Sequence, residues 1–585
     1  MIILGLNAFH ADSSAALLRD GQLVAAVEEE RFRRVKHWAG FPAKSIACCL
    51  DQAGITLAQV DHIAVNQDNG ANLFRKIGHV VSRRPNLNLI LGRLRNRRGR
   101  ERLPQLVVKE FPGQTFNGRF HRVEHHLAHL SSSFHASPFD KAAVVSVDGF
   151  GDFASAAWGA GDGTNIGVEG RVYFPHSLGI FYQALTQYLG FPRYGDEFKV
   201  MGLAPYGLPS FIGAMREIVR LKADGGYALN LDYFRHHREP VDYQWANGAP
   251  EFGDLFAPAL ETLLGPRRRP DDPLEDRHHD IARSMQDMYE EAFFHLLTAV
   301  AKKSGLTDLA LAGGCAMNSV ANGKVKRKTP FRRVYVPAAA GDAGGAIGAA
   351  LTVWHGLGNS RSFVMQHAYW GPQFFADEIA RLLSQQQSRI AQAGCTIEII
   401  PDELALCRRV ASAITDGKIV GWFQGRGEWG PRALGNRSIL CDPRRADMKT
   451  ILNERIKRRE SFRPFAPAIL EADVSDWFEE NGAVPFMSQV FQIRNEKRSL
   501  IPAVAHIDGS GRLQTVSRRS NPRFHRLIEA FRDLTDVPML LNTSFNENEP
   551  MVWEPIQALD CFLRTKMDLL VLGDTIVFRP GENAL

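Results

Sequence analysis

One pattern constrains this chain more than any other: a strand, a polar loop with acidic residues, and a returning hairpin, written twice. Ile2–Leu6 is an apolar run and Asn7–Ser13 a polar loop that holds His10 and Asp12. Ser14–Leu18 reads as a second strand, Asp20-Gly21 as a hairpin turn and Leu23–Val27 as a third strand. About 140 residues further on, Ala142–Val147 is a strand and Asp148–Asp152 an acidic, glycine-rich loop. Phe153–Gly159 can pair back, Gly161–Gly163 turns, and Ile166–Tyr173 is a third strand. The repeat predicts a duplicated domain with two facing lobes whose acidic loops meet in the cleft between them. Two unrelated hairpins are the plainer alternative.

The rest of the chain alternates in the α/β manner. Asp280 reads as the N-cap of a long amphipathic helix to about Lys303, ended by Ser304-Gly305. A strand at Asp308–Ala312 opens through Gly313-Gly314 into a helix. Another near Arg333–Val336 leads through Gly341–Gly345 into a small-residue helix. Gly356–Gln366 reads as a boundary, which gives domains at 1–365 and 366–585. Strands are expected in the second at Ile419–Trp422, Pro538–Leu541, Leu569–Leu572 and Thr575–Arg579. Arg83–Arg102, with eight arginines against the single acid Glu101, and Pro266–Pro273 read as surface insertions.

Composition removes several classes. The 585 residues are 45% hydrophobic and 23% charged, ordinary globular values that argue against disorder and coiled coil. A net charge of +6 is small for this length and gives little footprint for nucleic acid. Seven scattered cysteines without a CxxC are no disulfide framework and point to a reducing, cytoplasmic setting. The N-terminus lacks a basic leader and a cleavage site, and no apolar run reaches membrane-spanning length, so no membrane partner is expected.

Three groups of residues carry chemistry. His125 and His129 share a helix face, a spacing that suits a metal. With Asp148 and Asp342 they would give a mixed nitrogen and oxygen site for Fe(II), Mn(II) or Zn(II) with open positions. A surface helix with three histidines is the bland alternative. The glycine loops at Gly313, Gly314 and Gly341 precede helices, where free N–H groups attract phosphate. In the C-terminal part, Arg426, Arg432 and Arg437 stand among glycines and aromatics, followed by Lys457 and Arg463. That grouping fits a small phosphorylated anion, with pairing to Glu428, Glu454 and Glu460 as the alternative.

Together these residues resemble the NodU/CmcH family of O-carbamoyltransferases. The resemblance runs through Asn7–Ser13, Glu29–Phe32, His125–His129, Ser146–Gly149, Ser177–Gly179 and Phe198–Ala204. It continues through Gly313–Asn318, Gly341-Asp342, Gly430–Ser438, Phe462–Pro467 and Leu541–Asn546. The family carbamoylates hydroxyls of antibiotics, nodulation factors and related glycosides. The resemblance implies an actin-like (ASKHA), ATPase-type N-terminal domain at 1–365. It implies a YrdC-like α/β domain at 366–585 that makes carbamoyl-adenylate from carbamoyl phosphate and ATP with Mg. His125, His129, Asp148 and Asp342 would hold the divalent metal, Fe(II) foremost. His10 would be the base, and Asp12 would orient it or bind nucleotide. Lys199, Gly313, Gly314, Asn318, Gly341, Arg426, Arg432, Asn436, Arg437, Lys457, Arg463, Asn542 and Ser544 would bind the co-substrates. The acceptor would be the hydroxyl of a small natural product, with its pocket in variable loops that include 205–265, and the chain could pair with itself. Three readings compete: an actin-like kinase, a tRNA-modifying enzyme and a nucleotide-binding regulator.

Overall fold

The structure, a computed structural model, describes residues 1–83, 103–239, 243–244 and 248–579. The basic stretch from 84 to 102 lies outside the described residues. The chain forms two compact units, Met1–Met365 and Gln366–Leu585.

The first unit holds two five-stranded sheets. Strands β1 (Ile2–Asn7), β2 (Ser14–Arg19), β3 (Gln22–Glu28), β4 (His62–Val65) and β5 (Arg119–Arg122) run in the order β3-β2-β1-β4-β5. Strands β6 (Lys141–Gly151), β7 (Ala154–Asp162), β8 (Asn165–Tyr173), β9 (Asp308–Ala312) and β10 (Arg333–Tyr335) run in the order β10-β9-β6-β7-β8. Seen from the hairpin side the two sheets are the same. Each is an antiparallel three-stranded meander whose first strand then pairs in parallel with a later strand, which pairs in parallel with another. The hairpins written twice in the sequence are thus equivalent parts of two equivalent sheets.

Five helices matter to the site: α1 (His125–Phe134), α2 (Leu178–Tyr188), α3 (Asp276–Ser304), α4 (Ser319–Lys328) and α5 (Gly345–Gly356). Helix α3 starts before the expected Asp280, because Glu275 and His278 close a capping box at its head. Asp280 instead accepts from the Leu208 N–H and the Ser210 hydroxyl, both at 2.8 Å. The helix ends where Gly305 turns left-handed at φ 68°.

Small residues decide how α5 docks. A Cβ on Gly5 of β1 would fall 1.9 Å from the Ala346 carbonyl oxygen, and one on Gly348 would fall 1.8 Å from that of Ala128. Helix α5 therefore lies backbone-to-backbone on both β1 and α1, which fixes the loop before α5 against the first turn of α1.

The second unit is built on one mixed nine-stranded sheet. Its strands are β11 (Thr396–Ile399), β12 (Val420–Phe423), β13 (Arg437–Cys441), β14 (Ala466–Leu470), β15 (Gln489–Gln492), β16 (Ser510–Val516), β17 (Met539–Ser544), β18 (Leu569–Leu572) and β19 (Thr575–Phe578). They run in the order β11-β19-β18-β12-β13-β17-β14-β16-β15. Helices α6 (Glu403–Thr415) and α7 (Pro522–Thr535) bury the apolar stripes Leu406, Val410, Ile414 and Phe524, Leu527, Phe531 in its core. Among the described residues no helix is long and apolar enough to cross a membrane.

Candidate functional site

Three devices aim the histidines of α1. Glu124 caps the helix and accepts from the Leu127 N–H at 2.8 Å. Asp152 holds the same end from outside, accepting from the His125 N–H at 2.9 Å and the Asp68 N–H at 2.8 Å. The one-turn spacing then puts His125 and His129 on one face. Asp148 leaves β6 toward them, and Asp342 comes from the loop before α5.

The four side chains converge. His125 Nε2 lies 3.0 Å from Asp148 Oδ2, 3.0 Å from His129 Nε2 and 3.6 Å from Asp342 Oδ1. His129 Nε2 lies 3.5 Å from each carboxylate. One donor atom from each residue falls within 4.8 Å of all the others. An ion with bonds of about 2.1 Å sets neighbouring donors about 3.0–3.4 Å apart, close to these separations. Two imidazole nitrogens with two carboxylate oxygens suit a borderline divalent ion, so the residues fit a metal. The Nδ1 atoms of both rings are buried without a hydrogen-bond partner, so packing and the central charges alone orient them.

The two imidazoles and two carboxylates shift one another's protonation. Burial pulls His129 down, yet hydrogen bonds and charge from Asp148 and Asp342 raise it to about 9. Burial also opposes His125, which the same carboxylates raise. Burial lifts Asp148, but the two imidazoles outweigh it and hold the carboxyl well below its usual range. Burial and the Asp148 charge leave Asp342 raised. A cation at the centre would replace those protons.

The glycine loops sit against this centre. Gly314 N–H donates to Asp148 Oδ1 at 2.8 Å, and Gly313, at φ 91°, has room for no side chain because a Cβ would meet the Val147 carbonyl oxygen at 2.2 Å. A Cβ on Gly341 would stand 3.9 Å from the Gly314 Cα, so the two loops adjoin. Asn318 caps α4 through the Ala321 N–H at 3.1 Å and donates to Gln286 at 3.0 Å. Lys199 pairs with Asp196 at 3.0 Å. The His10 ring stacks on His125 at 5.2 Å. The Asp12 carboxylate takes His37 Nδ1 at 2.8 Å. Burial lowers His37, but Asp12 raises it to about 9. His126, the middle histidine of the motif, turns to the Ser146 hydroxyl at 3.0 Å, and burial holds it down at about 4.

In the second unit the arginines divide. Arg437 is fully buried and donates to the carbonyls of Gln424, Asn436 and Gly425, with Phe423 beneath it at 3.7 Å. Arg426 donates to the Gly371 and Trp370 carbonyls at 2.8 and 2.9 Å. Lys457 is buried and donates to the Ser544 carbonyl and to both oxygens of Asn546. Asn436 donates to the Arg426 carbonyl at 2.9 Å, Asn542 to Gln514 at 2.8 Å, and the Ser544 hydroxyl to Asn546 at 2.8 Å.

Arg432 and Arg463 belong to a different set with Arg459, four residues before Arg463, and with Arg512, which the sequence does not point to. Burial and the neighbouring charge of Arg463 lower Arg432 to about 10 and Arg459 to about 9. Burial, then Arg432, Arg459 and Arg463, push Arg512 well down. Among the described residues no carboxylate pairs with Arg432 or Arg512. Glu460, 3.4 Å from Arg463, offsets part of this charge, and the set could take a multiply charged anion. Arg512 was hidden because it stands alone on β16, far in sequence from the other arginines.

Family models describing the carbamoyltransferase N-terminus and C-terminus match residues 2–351 and 411–579. An uncharacterised protein of Synechocystis sp. is 39% identical over 99% of this chain and 97% of its own. Nodulation protein NolNO of Sinorhizobium fredii is 39% identical over 98% of this chain and 79% of its own. A 3'-hydroxymethylcephem-O-carbamoyltransferase of Amycolatopsis lactamdurans is 34% identical over 66% of this chain and 65% of its own. A ROK hexokinase of Thermus thermophilus overlaps 60% of this chain and 98% of its own at 14% identity, with a TM-score of 0.28, too loose a likeness to argue from.

Proposed function

The chain belongs to the carbamoyltransferase family and is a carbamoyltransferase, and from that premise we propose that it is an ATP-dependent O-carbamoyltransferase with two linked sites. In this reading the second unit is YrdC-like and the first is actin-like, and the work divides between them. Water splits carbamoyl phosphate into carbamate and inorganic phosphate; a carbamate oxygen attacks the α-phosphate of ATP, pyrophosphate leaves, and the carbamoyl group is carried on AMP. The acceptor hydroxyl then attacks the carbamoyl carbon, AMP leaves, and the hydroxyl proton passes to a base.

The observation that carries the reading is the crowd of Arg432, Arg459, Arg463 and Arg512, whose mutual repulsion an anion such as carbamoyl phosphate or a triphosphate would relieve. His10, stacked on His125, is the base. Gly313, Gly314, Gly341 and Asn318 would line the adenylate's place beside Asp148, where glycine lets a phosphate approach the backbone closely. A divalent ion held by His125, His129, Asp148 and Asp342, Fe(II) foremost, would polarise the carbamoyl carbonyl. The acceptor is a small-molecule alcohol, and the cytoplasm is the setting.

The test is pyrophosphate release from ATP in the presence of carbamoyl phosphate. Asp342→Ala is expected to keep releasing it and to carbamoylate no alcohol. Arg463→Ala is expected to lose about 30-fold or more of both, since a buried charge contact is worth about 2–5 kcal/mol. Preformed carbamoyl-adenylate should rescue Arg463→Ala alone. Equal failure of both variants at pyrophosphate release would replace two sites by one composite site.

A further inference from the structure

The hairpin turn between β6 and β7 has a residue that its backbone does not favour. Gly151 pairs with Ala154, which leaves Asp152 and Phe153 as the turn, at φ 47° and 74°. Turns of this kind favour glycine or asparagine, and a bulky ring at positive φ is strained. Strain kept in a side chain that points outward suggests that the side chain has work to do.

The Phe153 ring faces a cavity of about 350 Å³, within the ~300–1,000 Å³ range of small-molecule pockets. Phe74, Arg75, His79, Tyr173 and Phe174 complete its wall. The His79 ring meets Phe153 at 5.6 Å and Phe174 at 5.1 Å. Phe74 is 90% exposed, a large apolar ring held in water. The Arg75 guanidinium lies over Tyr173 at 4.9 Å, and no carboxylate is among the described lining residues.

The pocket and the metal residues share their supports. Asp152, next to Phe153, holds the His125 N–H, and its carbonyl accepts from Asn72, which stands just before the helix that carries Phe74, Arg75 and His79. Phe150, beside the Asp148 loop, meets Phe174 at 5.1 Å.

Resting on the function proposed above, we infer that this aromatic pocket is the acceptor subsite, and that it takes the CH-rich face of an uncharged pyranose. Rings stack on the axial C–H face of a sugar, and the Arg75 guanidinium in the lining turns away polycations such as aminoglycosides. The sugar would then lie beside the residues that receive its hydroxyl.

Saturation-transfer NMR tests the pocket without ATP or carbamoyl phosphate, so it can fail while pyrophosphate is still released, and the reverse. The probes are the methyl β-pyranosides of glucose, galactose, mannose and N-acetylglucosamine, with kanamycin as the polycation. Saturation is expected on the axial C–H protons of at least one pyranoside and not on kanamycin. Phe153→Gly and Phe74→Ala should each cut the signal about threefold or more. Glycine suits the turn and Phe74 is exposed, so both variants should fold, and Phe153→Gly should melt at or above the wild type. No transfer to any pyranoside, an undiminished signal in both variants, or equal transfer to kanamycin would overturn the assignment.

Discussion

At the scale of single residues, the metal set and the His37–Asp12 pair make separate predictions. Removing one donor from a four-donor site leaves the ion without the charge and geometry that select it. His129→Ala should therefore lower bound metal about tenfold or more by elemental analysis. Full metal in the His125→Ala/His129→Ala double variant would refute the site. The second prediction concerns pH. His37 rises from 6.5 to about 9 when folded, because Asp12 outweighs the burial that opposes it. A histidine raised in the fold stabilises fully below pH 6.5, and that stability is lost as pH climbs through 9. The rise is worth at most about 3 kcal/mol, and partial exposure cuts it to about 1–2 kcal/mol. Urea unfolding at pH 6 and pH 9.5 should show that loss in the wild type and not in Asp12→Asn. The metal residues were legible because two histidines one turn apart and two aspartates beside glycine are short local patterns. Arg512 was not, because only the order of strands brings β16 toward the loops around Arg432 and Arg463.

At the scale of elements, α5 is the part that has least room for change. Its contact with β1 leaves no space for a methyl group on Gly5, and its contact with α1 leaves none on Gly348. Gly348→Ala should destabilise the first unit by about 1–3 kcal/mol, the usual cost of overpacking. Asp342 lies in the turn that leads into this helix, so the same change should weaken metal binding although it touches no donor. A variant that melts lower but keeps full metal affinity would show that α5 does not position Asp342. The small-residue run was readable as a helix. Which backbones it would lie against was not, since a glycine in a sequence does not say what approaches it.

At the scale of the whole molecule, each unit has its own sheets and its own candidate site. Calorimetry should therefore resolve two unfolding transitions. Carbamoyl phosphate should raise one and the metal the other, each by about 2–3 kcal/mol at a hundredfold excess over its dissociation constant. A single transition shifted by both would mean one cooperative body. The sequence by itself determined the repeated hairpin, the alternation of helix and strand, the histidine pair and the family, because each is a pattern of near neighbours. Only the tertiary structure decided that the two hairpins are equivalent parts of equivalent sheets, that Asp12 turns to His37, and that Arg426, Arg437 and Lys457 serve backbone oxygens while Arg512 joins Arg432. The reason is physical. A side chain's charge and shape are written in the sequence, but its partners are set by which distant strands and loops the packed core brings within a few ångströms of it.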